Sequence, residues 1–166
     1  MLINQRKIII GFRYFWLLAA VIIIFYIIQQ NLVIAREIAY QIDLSQNISR
    51  DIEGLYPIHR VQWRNSEQLL SVIAEPLYLQ AYLPDEFSKL IVSGRINLAG
   101  QVGKIGLKSI AGGWAWQDIR DGNFSVDFDL AQAVIERNRL QLIFSFPNLK
   151  DADSVGFYNL NLKLQR

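Results

Sequence analysis

Two tryptophans near the middle of the sequence have the spacing of a binding platform. Trp114 and Trp116 are separated by one residue and follow a double glycine. Side chains two residues apart in a β-strand point to the same face, so both indoles would lie on one side of a sheet. On an exposed face they could stack on the apolar C–H faces of sugar rings, with Asp118 and Arg120 as hydrogen-bonding neighbours for the hydroxyls. On an inner face they would be core packing, which is common for tryptophan.

A pair of carboxylates is the second candidate for chemistry. Asp127 and Asp129 lie on the polar face of the alternating segment of residues 124–130, about 6–7 Å apart at the rise of a strand. Glycosidases use paired carboxylates at similar separations. Acid–base catalysis also requires an environment that raises the pKa of one of the two, and the sequence isolates neither of them. We therefore expect a solvated strand face and no enzyme activity.

Oxygen-bearing side chains in two predicted loops could hold a structural calcium ion. They are Asp121, Asn123, Asp151 and Asp153. Calcium takes about six to eight oxygen ligands from such loops. The spacing differs from that of an EF-hand, and Asp-Gly-Asn is also ordinary turn chemistry. A calcium site and a plain turn both remain open.

The composition excludes several classes of site. The sequence has no cysteine, which excludes disulfides, zinc–thiolate centres and cysteine nucleophiles. Its one histidine, His59, excludes any site that needs two imidazoles. The net charge of +2 is too small to indicate a nucleic-acid partner.

An uninterrupted apolar run, residues 14–28, lies near the N-terminus. A membrane-spanning helix needs about 20 residues, so we expect a transmembrane helix over residues 14–35 that could start near residue 8. The preceding tip, residues 1–13, has three basic and no acidic residues, and such tips stay in the cytoplasm. The sequence thus predicts a single-pass protein of the cell membrane, with the lipid bilayer as a partner and the rest of the chain outside the cytoplasm.

Two other interpretations of the apolar run stay open. A cleaved signal peptide would end at the small-residue pattern Val33-Ile34-Ala35. A buried core helix would place the run inside the folded domain. After the run, residues 36–53 are expected to form a stalk, helical or extended.

From about Tyr56 the apolar residues alternate with polar ones, which is typical of half-buried strands. In residues 155–164 the apolar parity changes, which predicts a bulge near Tyr158-Asn159. Only residues 130–138 look helical. Short strands separated by turn signals predict an all-β fold, an antiparallel jelly-roll-like β-sandwich over residues 54–166. The predicted strands are residues 58–64, 69–73, 77–83, 89–98, 104–109, 124–130, 139–146 and 155–164.

Three segments carry a resemblance to a known group of modules. They are GLYPI at residues 54–58, VQWRNS at residues 61–66, and the closing segment of residues 146–157 with its proline, Asp151, Asp153 and a Val-Gly-Phe strand. Together they resemble the jelly-roll modules of bacterial membrane glycosyltransferases and galactose-binding-like carbohydrate-binding modules. The resemblance implies a β-sandwich that holds glycan or docks onto a polysaccharide or glycosyltransferase complex.

The sequence therefore predicts a membrane-anchored, non-catalytic binding or scaffolding protein of the cell envelope. The partner would be a glycan or another membrane protein. The alternative is a structural subunit of a membrane-associated filament or secretion assembly, in which the sandwich packs laterally. No cofactor is expected other than the possible calcium.

Overall fold

The computed structural model describes residues 14–26, 36–46, 51–83, 87–147, 149 and 155–166. Residues 14–26 form helix α1, and the β-domain is a separate unit. Among the described residues, no helix reaches the length and apolarity needed to cross a membrane. The remainder of the predicted span, residues 27–35, lies outside the described residues.

Within the described ranges, twelve strands form two antiparallel sheets, which confirms the predicted β-sandwich. Sheet 1 has the order β3-β4-β12-β6-β9, with β1 also paired to β12. Its strands are β1 (Glu37–Gln41), β3 (Val61–Arg64), β4 (Leu69–Val72), β6 (Lys89–Asn97), β9 (Gly122–Asp129) and β12 (Gly156–Gln165). Sheet 2 has the order β2-β5-β11-β7-β8, with β10 also paired to β11. Its strands are β2 (Ile52–Tyr56), β5 (Leu77–Tyr82), β7 (Gly103–Lys108), β8 (Trp114–Ile119), β10 (Ile135–Glu136) and β11 (Arg139–Ser145).

Eight of these strands follow the strand order of a jelly roll. In sheet 1 they run β4-β12-β6-β9, and in sheet 2 they run β5-β11-β7-β8. The chain crosses from one sheet to the other at most of its turns, as in two interlocked Greek keys. Each sheet therefore places strands side by side that are far apart in the sequence.

The core lies between the two sheets and consists of the inward-facing residues of the alternating strands. In β9, Phe124 and Phe128 are buried while Asp127 and Asp129 are exposed, as the alternation predicts. In β12 the register against β6 shifts between Phe157 and Asn159, which confirms the predicted bulge. The shift changes the parity of the strand, so apolar side chains on both sides of the bulge reach the same core.

The segment predicted to be helical, residues 130–138, is mostly not helical. A single 3-10 turn covers Leu130–Gln132, and the side chain of Asp129 caps it by accepting a hydrogen bond from the backbone N–H of Ala131 at 2.9 Å. The chain then becomes β10, which pairs with β11. The helical prediction was wrong here because pairing with a neighbouring strand outweighs the weak local pattern.

Two boundaries also differ from the sequence prediction. The predicted strand of residues 58–64 begins with a 3-10 turn, Ile58–Arg60, and only then becomes β3. The segment predicted to be a stalk supplies β1, whose five residues all pair with β12, as well as the start of β2. The sandwich therefore begins at Glu37 and not at residue 54.

Candidate functional site

The outer faces of the two sheets differ in chemistry. Sheet 1 presents a polar face crossed by ion pairs, Lys89–Asp127 at 2.6 Å and Lys163–Glu37 at 2.8 Å. Sheet 2 presents aromatic rings on the corresponding side. The face of sheet 2 also carries ion pairs, Lys104–Asp118, Lys108–Glu136 and Arg139–Glu53, so the contacting aromatic rings are what distinguish it as a candidate binding surface.

Four aromatic residues form a continuous row on the outer face of sheet 2, which we call the aromatic row. The ring centroids are 5.6 Å apart between Tyr56 and Tyr78, 6.3 Å between Tyr78 and Trp114, and 6.4 Å between Trp114 and Trp116. These distances lie in the range of favourable aromatic contacts. The two indoles are inclined to each other by 46°, so they are not coplanar. Trp116 is 44% exposed, and the other three rings are half-buried.

A glycine makes the aromatic row possible. Gly106 lies in β7 directly between Ile143 of β11 and Trp116 of β8. A Cβ at Gly106 would lie 2.8 Å from Cγ2 of Ile143 and 3.1 Å from both Cβ of Trp114 and Cε3 of Trp116. Because no side chain stands there, the indoles occupy this space and cover Ile143, which is buried although it belongs to the outer face.

Two glutamines fix one end of the aromatic row. The side-chain amides of Gln80 and Gln141, which face each other across β5 and β11, each donate a hydrogen bond of 3.1 Å to the hydroxyl of Tyr56. The hydroxyl thus accepts twice, and the side-chain carbonyl oxygen of Gln80 in turn accepts a hydrogen bond from the guanidinium of Arg139 at 3.5 Å. Amides beside aromatic rings suit a ligand with both hydroxyls and apolar faces.

A groove of about 530 Å³ adjoins the aromatic row, and we call it the polar groove. It lies at the end of β7, where β10 takes the place of β7 beside β11. There the backbone N–H of Val134 donates a hydrogen bond of 2.8 Å to the carbonyl oxygen of Lys108. Lys108 also faces Trp114 in the register of β7 and β8, so the groove and the aromatic row share this border. The polar side chains that line it are Gln80, Lys108, Glu136, Arg137, Arg139 and Gln141.

Ion pairs hold two of the cations of the polar groove. The ammonium of Lys108 lies 2.8 Å from a carboxylate oxygen of Glu136, and the guanidinium of Arg139 lies 2.6 Å from that of Glu53. The hydrogen bond from Lys108 holds the pKa of Glu136 below its ordinary value of 4.5, and the positive charge of Arg137 acts in the same direction. Within the described part of the chain, the guanidinium of Arg137 forms no ion pair.

Replacing Lys108 with glutamine is expected to raise the pKa of Glu136 toward 4.5, because the variant removes the largest cause of the lowering. A lowered carboxyl pKa stabilises the fold above the pKa of the unfolded chain, and this contribution disappears as the pH falls through the folded pKa. The pKa can be followed by NMR titration of the carboxyl carbon of Glu136. Glu37, whose pKa Lys163 lowers, is the internal control and should titrate unchanged. An unchanged pKa of Glu136 would contradict the assigned pair.

The structure places the other predicted sugar-binding residues at one edge of the same face. Asp118 faces Lys104 in the register of β7 and β8, with 4.0 Å between carboxylate oxygen and ammonium. Arg120 is exposed in the turn that follows β8. Asp118 therefore shares the outer face with Trp114 and Trp116, whereas Arg120 lies just beyond the strand.

The paired carboxylates of β9 have structural contacts. Asp127 forms the ion pair with Lys89, and Asp129 caps the 3-10 turn that follows. The two belong to the outer face of sheet 1, on the opposite side of the sandwich from the aromatic row.

The residues proposed for calcium are only partly described. A carboxylate oxygen of Asp121 accepts a hydrogen bond from the backbone N–H of Leu98, and Asn123 faces Arg95 across β6 and β9. Asp151 and Asp153 lie outside the described residues. Within the ranges that the structure describes, no group of three or more histidine, aspartate or glutamate side chains could hold a metal ion.

Sequence reasoning missed most of the polar groove. The alternation of β5 and β11 already places Gln80, Arg139 and Gln141 on outward-facing positions. What was missing is the order β5-β11-β7-β8, which brings them beside Lys108 and the indoles.

Comparisons with known proteins leave the family open. No family model matches the chain, and no curated protein matches it. Two structures of the tobacco streak virus coat protein superpose on it loosely, each with a TM-score of 0.34. The dimer structure is 13% identical, covering 79% of this chain and 85% of that one. The C2 crystal form is 12% identical, covering 81% and 89%. At this level of similarity the superposition carries no information about function.

Proposed function

We propose that this chain is a membrane-anchored binding protein of the cell envelope, and that the aromatic row of its sandwich binds glycan outside the cytoplasm. The observation that carries the proposal is the row itself, four contacting rings on an outer sheet face with Trp116 44% exposed. Sugar rings have apolar C–H faces that stack on such rings. The amides of Gln80 and Gln141 lie beside the rings and can pair with the hydroxyls.

Helix α1 supports the membrane anchor. Its large apolar side chains, from Tyr14 to Tyr26, are each between 56% and 69% exposed. A helix that is apolar on all sides needs an apolar environment such as a bilayer. The basic tip of residues 1–13 favours an N-terminus in the cytoplasm.

Glycan binding is tested with the full chain in lipid nanodiscs by titration calorimetry. The probes are a chito-oligosaccharide, a cello-oligosaccharide and oligogalacturonate. At least one of them should bind, and Trp116→Ala should weaken that binding about tenfold, which corresponds to about 1.4 kcal/mol of stacking and contact.

The matched control is Tyr158→Ala, which removes an aromatic ring of similar exposure from sheet 1, 38% against 44%. This variant should bind as the original chain does. If no probe binds, or if Trp116→Ala binds as tightly as the original chain, the glycan proposal is wrong.

The anchor is tested on native membranes. Extraction with alkaline carbonate should leave the chain in the membrane, and its intact mass should include residues 1–35. A shortened mass would instead support a cleaved signal peptide. Size measurement in detergent separates the structural alternative, because a filament or secretion subunit would elute as a defined large complex.

A further inference from the structure

We infer that the glycan is acidic, with the polar groove binding a uronate-type carboxylate of a sugar whose neighbours stack on the aromatic row. This inference rests on the proposed function and specifies the substrate class of the same site. Groove and row are one surface, because Gln80 and Gln141 line the groove and also bind the hydroxyl of Tyr56. Lys108, at the other border, faces Trp114.

The described side chains give the groove an excess of positive charge. Three cations, Lys108, Arg137 and Arg139, line it together with one carboxylate, Glu136. Lys108 and Arg139 already pair with glutamates, whereas Arg137 forms no ion pair within the described residues. A guanidinium can bind a carboxylate through two parallel hydrogen bonds. Arg137 acts on Glu136 through its charge but makes no close ion pair with it, so its guanidinium can bind one carboxylate of a sugar ring.

The position of Arg137 suits this role. It lies in the tight turn between β10 and β11, with a positive φ of 53° at Arg137 and 59° at Asn138. This turn holds the backbone of Arg137 at the rim of the groove. The guanidinium can therefore reach a ligand by a change of side-chain rotamer, without a movement of the backbone. The groove volume, about 530 Å³, lies in the ordinary range of ligand sites.

A second cavity provides a contrast. It has about 600 Å³ and is also lined by aromatic side chains, Trp63 and Tyr158. Its only charged lining residue among those described is Asp43, which accepts hydrogen bonds from the backbone and the hydroxyl of Ser45. Charge complementarity to an anion thus distinguishes the polar groove from this second cavity.

The test compares oligogalacturonate with its methyl ester, which has the same rings without the charge. Both are titrated against the full chain in nanodiscs of neutral lipid. The acid should bind about tenfold more tightly than the ester, as expected for one charge-assisted hydrogen-bonded contact. Added salt should weaken binding of the acid and leave binding of the ester unchanged, because exposed charges are screened.

Arg137→Gln should abolish the difference between acid and ester. Arg95→Gln is the matched control, since it removes an exposed arginine from sheet 1, and it should preserve the difference. Equal binding of acid and ester, or binding of the neutral oligosaccharides alone, overturns this inference and leaves the proposed function intact. If none of the probes binds, both are overturned.

Discussion

Replacing Phe157 with alanine should lower the free energy of unfolding by about 3–5 kcal/mol, the usual cost of removing a buried phenylalanine. Phe157 of β12 is fully buried, and its ring contacts two phenylalanines of the sheet 2 side, Phe144 with centroids 5.4 Å apart and Phe146 at 6.1 Å. Removing it opens a cavity where the two sheets meet. Urea unfolding of the full chain in detergent, followed by fluorescence, measures the loss.

The control for this prediction is the next residue. Tyr158→Ala removes a ring of similar size from the outer surface, where it contacts Arg95 at 4.9 Å, and should cost at most about 1 kcal/mol. If the two variants lose similar amounts of unfolding free energy, the contacts of Phe157 with Phe144 and Phe146 do not hold the two sheets together.

Replacing Gly94 with alanine should cost about 1–3 kcal/mol or more, as for other overpacked sites. A Cβ there would meet the backbone carbonyl oxygen of Asn159 and lie 3.1 Å from the ring of Phe124. A backbone atom cannot rotate away, and Asn159 belongs to the bulge of β12, so the variant must displace the bulge itself. The midpoint of thermal unfolding should fall accordingly.

Gly122→Ala separates this steric effect from backbone strain. Gly122 has a φ of +92° and open space around the added Cβ, so its replacement tests conformation alone and should cost about 1 kcal/mol. If Gly94→Ala proves less costly than Gly122→Ala, the close approach of Gly94 and Asn159 is absent in solution.

Much of the fold follows from local pattern. In β9 and β11 the apolar residues recur at every second position, which predicts both the strands and the faces that they bury. The change in this alternation near Tyr158 predicts the bulge of β12. Each of these signals lies within a single strand. Their physical basis is the alternation of side chains across a sheet, which needs no knowledge of the neighbouring strands.

The wrong predictions concern segments whose structure depends on distant strands and not on local pattern. Residues 130–138 and the predicted stalk contain strands whose partners, β11 and β12, lie elsewhere in the sequence. Pairing with those partners decided their structure. A short segment with a weak local pattern takes the conformation that its tertiary neighbours impose.

For the same reason, only part of the candidate site could be predicted from the sequence. Trp114 and Trp116 share a strand, so their common face could be predicted. Tyr56, Gln80 and Arg137 lie on three other segments, and only the strand order of sheet 2 and the turn after β10 assemble them. A site built across strands thus needs the topology, whereas a motif within one strand does not.

The pairing of β1 with β12 also sets a mechanical response. β1 is the first strand after helix α1 along the chain, and Glu37 faces Gln165 at its start. A load that draws Glu37 away from Gln165 would open the ladder one pair at a time and would not shear all pairs at once. Since β1 pairs with β12 alone, its ladder is the first part of the sandwich that such a load reaches.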